Sequence, residues 1–172
     1  AALLFLGGSA SAVLGLRLFR PSVKPPRTAG VHAHFPAFVR MAYGWLLISA
    51  AFAAVASFAD RAGGWWGASR HALTVGFIST LVFAVGQRVL PAFCGMRVLF
   101  SPALMGWCLW LLALGCTLRV AAEIGAYESY LPQLWPMLTI SALLEMISFT
   151  LFALNLVLTM RQPPAHLMAR AA

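Results

Sequence analysis

Acidic residues are almost missing from this chain. Its 172 residues include four Asp and Glu against twelve Lys and Arg. So few carboxylates exclude paired-carboxylate catalysis and calcium sites, both of which draw several acids to one place. Charge of either sign is scarce, at 9%, while hydrophobic residues reach 62%. A typical soluble domain carries roughly 25% charged and 45–50% apolar residues, so this chain cannot give itself a soluble protein's charged coat. Cysteine is nearly absent too. Cys94, Cys108 and Cys116 form no CxxC and are odd in number, which excludes a disulfide framework and a zinc ribbon. No HExxH, GxSxG, Walker or dinucleotide motif occurs. A mean hydropathy of +0.87 completes the picture. The composition is that of an integral membrane protein.

What is present is long apolar sequence. A bilayer core of about 30 Å needs about 20 such residues in a helix, and five segments meet that demand. They cover about 2–19, 39–59, 71–93, 102–123 and 131–160. The predicted fold class is therefore all-α, a polytopic transmembrane bundle of five helices forming one domain over residues 1–172. Pro91 interrupts the end of the third segment, and Pro132 and Pro136 open the fifth, where a missing N–H costs least. Gly7 to Ala12 form a small-residue patch suited to close helix contact. The chain opens directly in apolar sequence at Ala1 with no basic leader, which points to an N-terminally incomplete chain. No internal repeat is visible, so the paired repeats of many transporters find no support.

The net charge of +8 would suggest nucleic acid in a soluble chain. Here it sits at the ends of apolar runs. Arg17, Arg20, Lys24, Arg27, Arg40, Arg88, Arg97, Arg161 and Arg170 fall on one side of the five-segment topology, with no acid among them. The other side holds Arg61, Arg70 and Arg119 beside Asp60, Glu123 and Glu128. By the positive-inside rule the first side is cytoplasmic, which puts the N-terminus outside and the C-terminus inside. Trp65, Trp66, Tyr127, Tyr130 and Trp135 collect at the outer interface as an aromatic belt.

Few residues here can carry chemistry. His32 and His34 form an HxH pair, a weak copper or zinc pattern in irregular sequence, and His166 lies in a Pro-rich tail. His71 opens the third segment, where an axial haem ligand could sit, although a histidine there can equally be a polar anchor. Arg119 is the cation in the same layer that could meet haem propionates. Its plain alternative is an i,i+4 pair with Glu123. Glu145 is the costliest residue, at about 21 Å along the fifth segment from Leu131. Arg88 comes to about 25 Å from His71 on the third by the same count. An intramembrane Glu145–Arg88 pair is the economical expectation, and a proton relay through Glu145 the sharper one.

Four strings occur in a familiar order: Arg17-Leu18-Phe19-Arg20, Ala42-Tyr43-Gly44-Trp45-Leu46, His71-Ala72-Leu73-Thr74-Val75-Gly76 and Arg88-Val89. In these the chain resembles the C-terminal part of the NnrS family, polytopic bacterial membrane proteins containing haem and copper and associated with nitric oxide. The resemblance implies an inner-membrane location and haem b at His71, with Arg119 near the propionates. Where the family carries a histidine before the Tyr-x-Trp-Leu element this chain has Arg40, and after the Arg-Val pair it reads Phe93-Cys94-Gly95. Those positions cannot supply the family's histidine ligands, so the resemblance implies haem more than copper. A different class stands beside it: a cofactor-free accessory transmembrane subunit packed against other subunits of a larger membrane complex.

Overall fold

The computed structural model describes residues 1–20, 33–93 and 99–162, and every described element is helical. Five rods follow one another: α1 (Ala2–Gly15), α2 (Phe35–Ala59), α3 (Gly64–Phe93), α4 (Pro102–Tyr127) and α5 (Trp135–Arg161). A single 3-10 turn, Pro132–Leu134, leads into α5. The last four rods are long and apolar enough to cross a membrane, whereas α1 has 14 residues. The all-α five-helix expectation holds. The short connections after α2 and α4 make each following rod run back, and Gly64 at the start of α3 meets Glu123 and Glu128 at the end of α4, so α2 and α4 point the same way.

Helix ends differ from the hydropathy reading for local reasons. α1 stops at Gly15, and Arg17 then takes a left-handed φ of 52° that turns the chain. α2 begins at Phe35, because Pro36 fits the first helical turn rather than blocking it. α3 begins at Gly64, seven residues before His71. Gly63 precedes it at φ 88°, and the Asp60 carboxylate accepts the Trp65 N–H at 3.0 Å. These polar residues carry a helical start that an apolar window does not register. α4 runs one turn beyond Glu123, to Tyr127.

α3 is not uniform. It is α-helical to His71, π-helical over Ala72–Ser79, and α-helical again over Thr80–Phe93. Ser79 donates to the Thr74 carbonyl at 3.1 Å within this stretch. Gly76 lies inside it, against the Trp45 indole; a Cβ there would come within 2.6 Å of the ring. Wide π turns often mark functional positions, and here one starts directly after His71.

Small and polar residues knit the rods together. Ser49 of α2 and Ser69 of α3 each donate to the other's carbonyl at 2.9 Å. α4 and α5 share the most extensive contact. At the end where α4 starts, Asn155 takes the Ser101 N–H at 3.1 Å and donates to the Ser101 carbonyl at 3.0 Å. Thr159 accepts the Phe100 N–H at 3.0 Å. Without lipid-facing alternatives, such side chains hold backbones close. The apolar core stacks Phe83 on Phe152 at 4.1 Å, in one cluster with fully buried Met105, Leu109 and Leu112.

Candidate functional site

The polar centre forms where α3, α4 and α5 meet. His71 stands about 10 Å along α3 from its start, and Arg119 and Glu123 about 12 and 6 Å before the last residue of α4. His71 therefore lies inside the rod, not at its opening as the sequence implied. The layer it shares with Arg119 survives, because α3 starts seven residues earlier and α4 ends four residues later than the apolar runs, which leaves the two depths within about 2 Å. Glu123 is the link. Its carboxylate meets His71 Nδ1 at 2.9 Å and Arg119 Nε at 3.3 Å. The Glu123 side chain is 8% exposed, while His71 and Arg119 keep 29% and 27%.

The backbone makes this approach possible. Gly64 and Gly67 lie one turn apart on α3, and both face α4. A Cβ on Gly67 would stand 3.2 Å from the Glu123 carboxylate, and one on Gly64 would stand 2.9 Å from the Glu123 carbonyl. The Gly67 carbonyl also lies 3.2 Å from His71 Nδ1. Below, the Cys116 thiol donates to the His71 carbonyl at 3.8 Å. The contacts of the imidazole all use Nδ1, and this leaves Nε2 uncommitted. A carboxylate on one ring nitrogen fixes the tautomer and points the other outward, the usual arrangement of a metal-ligating histidine.

Arg119 is more committed than the sequence implied. Besides Glu123, its guanidinium donates to the Leu138 carbonyl of α5 at 3.3 Å. The i,i+4 pair with Glu123 is formed, so any propionate contact would share the guanidinium with two protein acceptors.

Glu145 lies about 15 Å below Trp135, just beneath this layer. It packs against Gly115, where a Cβ would come within 2.9 Å of its Cγ. Its Oε1 is buried and has no hydrogen-bond partner among the described residues, and the charged groups nearest to it in effect are His71, Arg119 and Glu123. Arg88 is not among them. No ion pair joins Arg88 to Glu145 among the described residues, and the Arg88 guanidinium lies over the Phe35 ring at 5.6 Å. The early start of α3 accounts for this correction. Counted from Gly64, Arg88 falls about 36 Å along the rod, at the opposite membrane face and not at mid-depth.

Of the weak histidine pair only one member is described. His34 is the N-cap of α2 and exposed, while His32 lies outside the described residues, as do Cys94 and His166. No group of three metal-binding side chains occurs among the described residues. Cys108 and Cys116 are free and buried as packing residues.

Glu128 was read only as an interfacial charge, yet it organises the outer turn. Its carboxylate accepts the N–H groups of Arg61, Ala62 and Gly64 at 3.1, 3.3 and 3.0 Å. Burial pushes this carboxyl upward, but the backbone hydrogen bonds prevail and hold it below the usual carboxylate range. The outer aromatic residues flank the same end. Tyr127 packs on Trp135 at 4.9 Å, and Trp65 meets Phe52 at 5.7 Å.

These features define a polytopic helical protein with an oriented histidine in a buried ionic layer. Residues 21–161 match the family described as Domain of unknown function (DUF8744), and the chain belongs to that family. No curated protein and no solved structure matches it.

Proposed function

We propose that this is an NnrS-like protein of the bacterial inner membrane that binds haem b through His71, in nitric oxide or respiratory chemistry. One observation carries the reading: Glu123 takes His71 Nδ1, so that Nε2 is the ring nitrogen left to offer a ligand. A half-exposed imidazole on a membrane rod suits an axial ligand. His71 would hold the iron, Glu123 would set the ring's orientation and basicity, and Arg119 would lend positive charge near a propionate. Haem would supply reversible binding and reduction of a small diatomic gas. Copper does not enter the proposal, because Arg40 and Phe93 stand where further histidines would be needed.

A reduced-minus-oxidised optical spectrum of the purified protein tests the reading. Wild type should show b-type Soret and α bands, and His71→Ala should lose them while still accumulating in the membrane. A wild type without haem, or a variant with unchanged bands, overturns it.

A second reading, a cofactor-free accessory subunit, is favoured by α5. Only 11% of the apolar window of that rod is buried in the bundle, and Leu143, Met146, Ile147 and Phe149 stand exposed. Purification in mild detergent would then retain a second, larger membrane protein and no pigment.

A further inference from the structure

An apolar groove lies between α2 and α4 and runs from Arg40 up to the level of Thr117. Its walls are Phe19, just after α1, then Gly44 and Ile48 of α2, and Trp110 and Thr117 of α4; Arg40 stands at its mouth. The space is about 500 Å³. Arg40 to Ile48 spans about 12 Å along α2 at 1.5 Å per residue, most of one leaflet of a hydrocarbon core about 30 Å thick. Gly44 opens the floor: a Cβ there would meet nothing within 4 Å. Trp110 is 60% exposed and Phe19 58%, so the walls are aromatic surfaces that the protein leaves unpacked.

The charge at the mouth selects the occupant. Arg40 is exposed, and Arg17 and Arg20 flank Phe19 in the adjoining turn. Asp60, Glu123 and Glu128 lie at the other end of the bundle and Glu145 lies within it. We propose that this groove binds one acyl chain of an anionic phospholipid, with the lipid phosphate held at Arg40. The apolar walls take a chain that the bilayer already presents in that orientation, and the arginines favour a negative head group over a zwitterionic one. One basic side chain near the surface is worth about fivefold in that choice. The groove is lined by neither His71, Glu123 nor Arg119, so the inference does not rest on the haem reading.

Native mass spectrometry of the detergent-released protein, with phosphatidylglycerol or phosphatidylcholine added at equal mole fraction, tests this. Wild type should retain one phosphatidylglycerol about fivefold more than phosphatidylcholine. Arg40→Gln should remove that preference and keep the chain. Gly44→Leu starts into open space, since a Cβ there meets nothing within 4 Å, so it should fold, occupy the groove and lose both lipids. Equal retention of the two lipids by wild type overturns the head-group assignment. Phosphatidylglycerol retained undiminished by Gly44→Leu overturns the groove. A wild-type dimer that Gly44→Leu dissociates would make the occupant a second copy of the chain, and would also overturn the proposal.

Discussion

Glu123 is the residue on which the ionic layer turns. It neutralises Arg119 and orients His71 from a position with 8% exposure. Removing one member of a buried pair strands its partner, at a cost of about 3–5 kcal/mol. Because His71 and Arg119 keep partial access to the outside, Glu123→Gln should cost nearer the lower end, about 3 kcal/mol. Denaturant unfolding in detergent micelles would measure it, and a loss below about 1 kcal/mol would mean the layer is already solvated. Glu128 gives a pH signature. Its carboxyl is held low in the folded protein, so its contribution is complete above the ordinary value of 4.5 and is lost as pH falls through the lower folded value. Wild type should therefore lose thermal stability on acidification below 4.5, whereas Glu128→Gln should start lower and respond less. Equal acid sensitivity in both proteins would remove Glu128 from that role. The sequence made Glu145 and Glu123 conspicuous because acids are so rare in it. It could not say which cation each one meets, since a side-chain partner depends on where the rods begin.

At the scale of the element, α3 carries most of what hydropathy missed. The apolar run from His71 to Phe93 was legible, and so were four of the five rods within a few residues. The start at Gly64 was not, because its signal is a left-handed Gly63 and an Asp60 cap rather than apolar periodicity. That shift of seven residues moved His71 into the rod and carried Arg88 out of reach of Glu145. The π stretch over Ala72–Ser79 leaves no compositional mark either. It does set a test. Gly76 faces the Trp45 ring so closely that Gly76→Ala must displace the indole or the backbone, at about 1–3 kcal/mol for overpacking. Gly44→Ala, on the same face of α2 as no other atom within 4 Å, should instead gain up to about 1 kcal/mol from helix propensity. Thermal unfolding of the two variants side by side would show opposite shifts. A neutral Gly76→Ala would mean that α2 and α3 pack more loosely than the Trp45 contact requires.

At the scale of the whole molecule, one asymmetry governs how the bundle sits in a membrane. Lys and Arg crowd the end where α1 stops, α2 starts and α5 finishes, while Asp60, Glu123 and Glu128 occupy the other. Basic residues near the ends of membrane helices stay on the cytoplasmic side, and acids contribute little to that choice. The proposed orientation therefore puts the turn at Gly63, the Glu128 staple and the outer aromatic residues outside the cell, and the lipid groove in the inner leaflet. The short α1 bears on this directly. Its 14 residues rise about 21 Å, less than a full hydrocarbon core of about 30 Å, so α1 is a weaker determinant than the arginines that follow it. Single cysteines placed at Gly63 and at Pro25, in a chain whose three native cysteines are replaced by alanine, separate the alternatives. A membrane-impermeant maleimide on intact cells should label the first and leave the second until the membrane is broken. Labelling at Pro25 alone would invert the bundle, and would move both the His71 layer and the groove to the opposite leaflets.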